Sequence, residues 1–375
     1  MPKPEISFVR YLAELPDPRS TRTRWHRLDD ILVITLCAVI CGADSFEEIE
    51  RFGKARHDWL KGFLKLPNGI PSHDTFNRVL AAMDRDKFSA CFARWMTDLC
   101  AATGLRVIAI DGKACRAAPG DTFSGCLHLV NAWAVENNLF LGSVAVADGG
   151  HEITAMPELL KILDLKGTLV TIDAAGCQKA TVKQIRDQGG DYLVAVKGNQ
   201  PALQRAVHAA FERACEAEFA GCPMAATAED GHGRHEERYV TVIPKPEGIP
   251  AEWADVRSVV VVAREREVKG RNVSTCHFYI TSLRYSAKRM GRYVRGHWGV
   301  ENGLHWCLDV SFGEDENRTR QKNAGANLGV VRRVAASLLK QDKGKGSIKA
   351  KRLNAALDHN YLLQVLQGFQ AIKMR

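Results

Sequence analysis

Two aspartates in this sequence each follow a short run of aliphatic and β-branched residues. Val107-Ile108-Ala109-Ile110 leads into Asp111, and Thr168-Leu169-Val170-Thr171-Ile172 leads into Asp173. Such runs are typical of buried strands, and two strands of one α/β unit that end in Asp would place both carboxylates at the same edge of a sheet. Because Mg²⁺ prefers oxygen ligands, the pair predicts metal-assisted displacement at a phosphate, with two metal ions about 4 Å apart.

A site of this kind needs a third carboxylate, usually from a helix. Glu301 stands out because the segment 292–302 around it is rich in cationic and aromatic side chains. An acid beside basic residues is also consistent with a structural ion pair, and a single Asp at a strand end is often a turn or cap residue. The candidates for the third acid are Glu152, Glu158, Glu301, Asp309, Glu314 and Asp315.

Other kinds of site have less support. His297, Glu301 and His305 have i, i+4, i+8 spacing, which allows a zinc site, but H-E-x-x-H and a fourth ligand are missing. The glycines at 120 and 125 have P-loop spacing without the Lys and Ser/Thr that a P-loop requires. The 11 cysteines include no C-x-x-C pair, which favours reduced thiols in a cytoplasmic protein.

The elements that must position the acids change character along the chain. Residues 1–104 have a helical pattern, and from Leu105 short strands alternate with helices, which indicates an α/β unit over 105–219. The expected strands after the first are 127–135, 139–146, 168–173 and 192–196, and the expected helices are 152–163, 178–188 and 200–219.

A different pattern follows this α/β unit. We expect a loop over 221–233 and then antiparallel strands, which makes 220–283 a β-rich insertion. Residues 284–339 return to a helical pattern that carries Glu301, and 340–375 form a basic tail with a flexible linker before one last helix near 350–370. The expected strands of the insertion are 238–243, 256–264 and 274–282.

Most of the net charge of +9 lies at the C-terminal end. From Asn317 onward thirteen Lys and Arg stand against two Asp, so this end carries +11 and the rest of the chain sums to −2. A solvated end is one explanation. The other is a phosphate-binding surface, because each neutralised phosphate releases counterions and adds affinity that does not depend on sequence.

The length of 375 residues indicates two or three structural units. The longest apolar run, 31–41, is too short to cross a bilayer, and no signal peptide pattern opens the sequence. We therefore expect a cytoplasmic protein without a membrane partner.

A series of short motifs resembles the H-repeat-associated family of bacterial insertion-sequence transposases, which is a DDE-type group. The likeness extends over nearly the whole chain, and the motifs occur in the order that the family shows. They are Pro71–Phe76, Ile110–Lys113, Glu152–Leu160, Thr171–Lys179, Gly189–Tyr192, Lys197–Gln200, Gly231–Arg234, His297–Trp306 and Leu308–Val310.

The resemblance implies an α/β fold with an RNase H-like catalytic core, a β-rich insertion before the Glu helix and a helical N-terminal domain. It also implies a triad of Asp111, Asp173 and Glu301, with separations of 62 and 128 residues. The cofactor would be Mg²⁺, with Mn²⁺ as a substitute. The expected reaction is cleavage at element ends, followed by attack of the freed 3′-hydroxyl on target DNA.

In related transposases a Tyr and an Arg precede the Glu on its helix and contact DNA phosphates. Here the corresponding places hold Val294 and His297, with Tyr293 and Arg295 close by but out of register. The residues that we predict to contact DNA are Lys113, Lys197, Asn199, Tyr293, Arg295 and His297.

The expected partner is double-stranded DNA, both element ends and target, and pairing of two ends suggests a homodimer in the complex. The helical N-terminal domain would recognise the ends. Two alternatives stay open: a metal-dependent nuclease that cuts without joining, and a domesticated or inactive DNA-binding protein.

Overall fold

A computed structural model describes residues 9–12, 14–103, 107–115, 127–146, 150–231, 234–244, 246–268, 271–284 and 286–367. The predicted boundary between 104 and 105, the glycines at 120 and 125, and the end of the basic tail lie outside these ranges. In chain order the helices are α1 Val9–Leu12, α2 Leu28–Ile40, α3 Phe46–Ala55, α4 His57–Lys61, α5 His73–Ala82, α6 Arg85–Thr103, α7 Glu152–Lys161, α8 Lys179–Asp187, α9 Pro201–Glu216, α10 Ala287–His297, α11 Trp306–Phe312, α12 Ala324–Gln341, α13 Ile348–Leu357 and α14 His359–Gln367.

The strands carry most of the apolar runs that the sequence shows. They are β1 Val107–Cys115, β2 Leu127–Ala134, β3 Leu139–Ala145, β4 Leu169–Ile172, β5 Asp191–Val196, β6 Met224–Gly231, β7 Arg234–Pro244, β8 Ser258–Val268 and β9 Arg271–Thr281. Short 3₁₀ helices cover Thr21–Thr23 and Glu314–Glu316, and a π-helical segment covers Val300–His305.

The chain forms two units that each combine separate stretches. The first unit contains 1–105, 112–163 and 301–375, and the second contains 106–111 and 164–300. Strand β1 is divided between them, with its first five residues in the second unit and its last four in the first.

Helix α12 is the centre of the first unit. Its residues from Ala326 to Leu339 are all buried, and it packs against α2, α5, α6 and β3. A helix that is covered on all sides is mostly apolar, and its buried polar side chains need partners, as Arg333 has in Glu314. Helix α2 is covered in the same way, with every residue from Asp30 to Ile40 buried. Beside these helices, β2 pairs antiparallel with β3 and the end of β1 lies next to β2.

The second unit is built on a mixed sheet. Strand β4 pairs parallel with both β1 and β5, and β5 then pairs antiparallel with β9. The sheet continues through β8 and β7 to β6, each strand antiparallel to the one before it. The short central strand β4 is buried along its length, as expected for a strand covered on both faces.

The predicted loop over 221–233 is wrong, because most of it is strand β6. Its residues Met224-Ala225-Ala226-Thr227-Ala228 lack the β-branched alternation that indicates a strand. Pairing with β7 along the whole length of β6 supplies the hydrogen bonds, so the neighbouring strand imposes a conformation that local propensity does not favour.

The end of the chain also differs from the expected linker and single helix. Helix α12 extends to Gln341, and two helices, α13 and α14, follow it. Lys351 and Arg352 are buried: Lys351 donates to the carbonyl oxygen of Asp342 at 2.5 Å, and Arg352 donates to that of Val39 at 3.1 Å. Among the described residues, no helix is long and apolar enough to cross a membrane.

Candidate active site

Asp111 and Asp173 occupy neighbouring positions on adjacent strands of the second unit. In the parallel pair β1 and β4, Ile110 is the partner of Ile172, so an aspartate follows each partner. Strand β4 ends before Asp173 as predicted, but the predicted strand end at Asp111 is wrong, because β1 continues to Cys115. The strand residues before them are buried, whereas both aspartates are half-buried. This register gives two carboxylates an anchored backbone and access to solvent at one edge.

The loop after Asp173 is fixed by hydrogen bonds at both ends. Its carboxylate Oδ1 accepts the backbone N–H of Ala175 at 3.0 Å and that of Gly176 at 3.3 Å. From the end of β5, Asn199 Nδ2 donates to the carbonyl oxygen of Ala174 at 2.7 Å, and Gln200 Nε2 donates to that of Cys177 at 2.9 Å. The amides of Asn199 and Gln200 therefore hold the backbone that presents Asp173.

His297, at the end of α10, lies beside the same strand. Its Nδ1 is 3.1 Å from the hydroxyl of Thr171, two residues before Asp173. Burial lowers the pKa of His297, and the negative charge of Asp173 and the bond to Thr171 oppose that effect without overcoming it. The imidazole of His297 is therefore neutral at neutral pH. A neutral ring suits packing against the sheet better than pairing with a phosphate.

Helix α10 presents one apolar and one basic face. Ser286 caps it by accepting the N–H of Arg289 at 3.4 Å, and Ala287, Met290 and Val294 form the buried face. Gly291 lies against β7, where an added Cβ would stand 3.0 Å from Val240. The exposed cations of the helix are Lys288, Arg289, Arg292 and Arg295.

Besides His297, the predicted DNA contacts Tyr293 and Arg295 lie on α10. Tyr293 is partly buried and packs against the apolar cluster under the helix. Arg295 is exposed and forms an ion pair with Glu229 of β6. Lys197 is exposed just after β5. DNA contact by these residues stays a prediction.

Glu301 belongs to the first unit and opens its last stretch. It lies in the π-helical segment Val300–His305, immediately before α11, and its side chain is exposed. Single π-helical turns are rare and frequently occur at functional sites. Within the described ranges, no three His, Cys, Asp or Glu side chains are grouped closely enough to hold a metal ion together. The zinc alternative gains no support from this, and the roles of the three acids stay predictions.

Glu152 is one of the other candidates for the third acid, and its carboxylate lies against Gly112. A Cβ added at Gly112 would stand 1.9 Å from Glu152 Oε1, so the glycine leaves room for this carboxylate over the strand. Glu152 is the first residue of α7 and is half-buried. In the sequence Glu152 is an acid at the start of a helical pattern, and this signal was weaker than the cationic and aromatic surroundings that favoured Glu301.

Lys113, which is predicted to contact DNA, is buried among acids of the first unit. Its ammonium is 2.6 Å from Asp309 Oδ1 and 3.6 Å from Asp315 Oδ1. Burial would lower the pKa of Lys113, but the bond to Asp309 and the neighbouring carboxylates raise it, so the amine stays charged. A phosphate contact by Lys113 would have to displace these partners.

Sequence comparisons identify the family. The model described as "Transposase DDE domain" matches residues 102–338, and one described as "DDE_Tnp_1-associated" matches residues 9–96. The chain therefore belongs to the DDE transposase family, in its H repeat-associated group.

Relatives of nearly full length support this assignment. The chain is 38% identical to the "H repeat-associated putative transposase YhhI" of Escherichia coli (strain K12), over 96% of this chain and 98% of the relative. It is also 38% identical to the "Putative transposase YncI" of Escherichia coli O157:H7, over 98% of each. Among solved structures, a piggyBac transposase synaptic complex with hairpin DNA gives a TM-score of 0.39 at 9% identity, over 99% of this chain and 78% of that one, a likeness that carries no argument.

Proposed function

We propose that this chain is an insertion-sequence transposase that cleaves DNA hydrolytically at the ends of its element and joins the freed 3′ ends to target DNA. The observation that carries the proposal is the adjacent pair Asp111 and Asp173 on parallel strands β1 and β4, in a chain of the DDE family. Glu301 is the third catalytic acid in this proposal, at the start of the helical stretch that follows the insertion.

The cofactor in this proposal is Mg²⁺, with Mn²⁺ as a substitute. Half-buried carboxylates on adjacent strands supply the hard oxygen donors that Mg²⁺ takes, so the residues fit the ion. Asp111, Asp173 and Glu301 would hold it. When bound, such metal ions activate the attacking oxygen and stabilise the leaving oxygen of an in-line displacement.

The protein's own contribution is the position of these acids. Asn199 and Gln200 hold the loop that carries Asp173, and burial keeps His297 neutral against Thr171. Because positioning and preformed charge supply much of the rate of phosphoryl transfer, small displacements of these groups would be costly.

An RNase H-like core is the fold that we propose for the catalytic part. The arrangement that supports it is the parallel set β1, β4 and β5 in the second unit, with β4 between the other two strands, and the antiparallel pair β2 and β3 in the first unit. Strands β6 to β9 fall between Asp173 and Glu301 in the sequence, as a β-rich insertion.

The substrate is double-stranded DNA, bound at the backbone by exposed cations. Lys197 and Arg295 are exposed, and Tyr293 and His297 lie on the same helix as the basic face. For Lys113 and Asn199, the contacts inside the protein favour a positioning role over DNA contact. Pairing of two element ends calls for a homodimer in the DNA complex, which would act at the nucleoid.

A product analysis tests the proposal. The wild-type protein is incubated with labelled DNA that carries the ends of its own element, with supercoiled target DNA and with Mg²⁺ or Mn²⁺. The proposal predicts nicked ends and covalently joined end–target products. Nicked ends that never join would support a nuclease instead, and binding without a metal-dependent product would support a DNA-binding protein without turnover.

The third acid is tested by two matched substitutions. Glu301→Gln should abolish cleavage and leave end binding intact, because it removes a charge but keeps the size of the side chain. Glu152→Gln should retain cleavage. Loss of cleavage in Glu152→Gln with normal activity of Glu301→Gln would transfer the role to Glu152.

A further inference from the structure

A group of charged side chains, three of them buried and two about one-third exposed, joins strand β1 to the stretch that follows Glu301. We call Lys113, Asp309, Glu314, Asp315 and Arg333 the ion-pair cluster. The ammonium of Lys113, whose side chain is 6% exposed, lies 2.6 Å from Asp309 and 4.0 Å from Glu314 Oε2. All five residues belong to the first unit.

The second cation of the cluster ties it to the central helix. Arg333 of α12 is fully buried and lies 2.6 Å from Glu314 Oε1. Its Nε also donates to Asn131 Oδ1 of β2 at 2.7 Å, and Asn131 Nδ2 lies 3.4 Å from His305 Nε2 at the end of the π-helical segment. The cluster therefore connects β1, β2, α11 and α12 through polar contacts.

Buried charges of this kind add little net stability, because removing them from water costs about as much as their attraction returns. Removing one partner is a different matter, since it leaves an uncompensated charge. What a buried ion pair can provide is a single allowed arrangement of the elements that carry it.

The placement of the cluster shows which arrangement it would fix. Lys113 follows Asp111 by two residues on β1, so both side chains leave the same face of the strand. Asp309 is in α11, eight residues after Glu301, which lies in the π-helical segment directly before that helix. The Lys113–Asp309 pair thus links the strand of one proposed catalytic acid to the helical stretch of another.

We infer that Lys113 and Asp309 are positioning residues for cleavage: their ion pair holds the Glu301 stretch on strand β1. This inference rests on the proposed function for its kinetic consequence. Its structural consequence, a more mobile stretch over 301–312 when the pair is broken, is independent of activity.

The test uses the full-length protein and four variants at the pair: Lys113→Met, Lys113→Arg, Asp309→Asn and the double variant Lys113→Met/Asp309→Leu. Single-turnover cleavage at saturating end DNA, the Kd for that DNA and the unfolding temperature are measured for each. Displacement of a catalytic group by about 1 Å costs about 100-fold in rate, so Lys113→Met and Asp309→Asn should cleave about 10- to 100-fold more slowly with little change in Kd.

The remaining variants separate position from stability. Lys113→Arg keeps the charge and should recover part of the rate. The double variant replaces both partners with apolar groups, so its unfolding temperature should return towards wild type while cleavage stays slow. Two controls are Leu160→Ala, which lowers stability through a cavity in α7, and Lys161→Met, which breaks an exposed pair with Glu158; both should cleave normally below their unfolding temperatures.

Hydrogen exchange supplies the readout that does not need activity. Amides of 303–312 should exchange faster in Lys113→Met and Asp309→Asn, while those of α8 stay unchanged. Unchanged exchange over 303–312 would overturn the inference even if the protein cuts no DNA. A cleavage rate that merely follows the unfolding temperature across all variants would overturn the inference as well. Weaker DNA binding at a normal cleavage rate would instead identify Lys113 as a DNA contact.

The inference and the proposed function can fail separately. If the wild-type protein does not cleave DNA but the amides of 303–312 exchange faster in the variants, the proposed function fails and the structural link stands.

Discussion

At the scale of single residues, Asp173 combines a structural role in a turn with a position that suits chemistry. Its Oδ1 accepts two backbone N–H groups, and the residue lies next to Asp111 across the β1–β4 pair. A turn role therefore does not exclude a catalytic one, and the turn itself orients the carboxylate.

Asn199 offers a direct test of that orientation. Asn199→Ala removes the 2.7 Å bond to Ala174 and should slow single-turnover cleavage about 10-fold, with end DNA bound as tightly as by wild type. The exposed substitution Asp187→Asn on α8 serves as the control. A weaker Kd with an unchanged cleavage rate would show instead that Asn199 contacts DNA.

His305 predicts a pH dependence of stability. Burial, with help from the charges of Arg333 and Lys113, lowers its pKa to about 3. Below about pH 6.5 the unfolded chain takes up a proton at this residue that the folded chain refuses, so the free energy of unfolding should fall from pH 6.5 towards pH 3, by at most about 1.4 kcal/mol per pH unit.

Urea unfolding at several pH values measures this contribution. His305→Gln should flatten part of the fall between pH 6.5 and 3, whereas the exposed His359→Gln should leave the profile as it is. An identical profile for His305→Gln and wild type would show that His305 is not held neutral in the fold.

At the scale of elements, α10 combines three tasks. Its apolar face covers the sheet, its last residue reaches Thr171 beside Asp173, and its other face carries exposed cations. Val294 and His297 stand where related transposases have Tyr and Arg. We therefore expect the basic face of α10 to bind phosphates.

Replacement of two cations on that face tests its role. Lys288→Ala/Arg292→Ala should weaken DNA binding about equally for all sequences and reduce the slope of log K against log salt by nearly two, since each phosphate contact adds about 0.9. Lys161→Ala/Lys166→Ala removes the same charge elsewhere and should not change the slope. An equal loss of DNA affinity in both double variants would show that the effect comes from the overall charge of the protein.

The sequence predicted these elements well where the pattern was strong. Strands β4 and β5 and helices α8 and α9 lie within a few residues of their expected bounds, because apolar periodicity marks them. Prediction from the sequence failed where contacts with other parts of the chain determine the conformation. Strand β6 forms by pairing with β7, and the helical stretch 286–312 is interrupted by the π-helical segment at Glu301.

The same limit applies to the candidate site. The neighbouring positions of Asp111 and Asp173 were predictable, because each follows a run of strand residues in the sequence, although β1 continues beyond Asp111. The internal partners of Lys113 and Asn199 were not, since Lys113 and Asp309 stand 196 positions apart and Asn199 and Ala174 stand 25 apart. DNA contact by either residue stays a prediction.

At the scale of the whole molecule, charge is distributed differently from the expected basic tail. Helices α13 and α14 pack onto the first unit, and Lys351 and Arg352 are used inside it. Within residues 340–367, which the structure describes, the exposed cations Lys343, Lys345 and Lys349 are available to a DNA backbone.

Substitution of these three lysines by alanine should reduce the salt slope of DNA binding by up to about three and leave the unfolding temperature unchanged. Deletion of 340–375 would be a poor substitute, because it also removes packed helices. A normal slope in the triple variant would exclude these lysines from the DNA interface.

The central claim is that Asp111 and Asp173 act together as catalytic acids, and one measurement tests it most directly. Single-turnover cleavage of end DNA in Mg²⁺ is compared for wild type, Asp111→Asn, Asp173→Asn and the surface control Asp187→Asn. We predict that Asp111→Asn and Asp173→Asn bind the DNA with wild-type Kd and do not cut it, while the control cuts normally. Cleavage at the wild-type rate by either Asp111→Asn or Asp173→Asn would contradict the account.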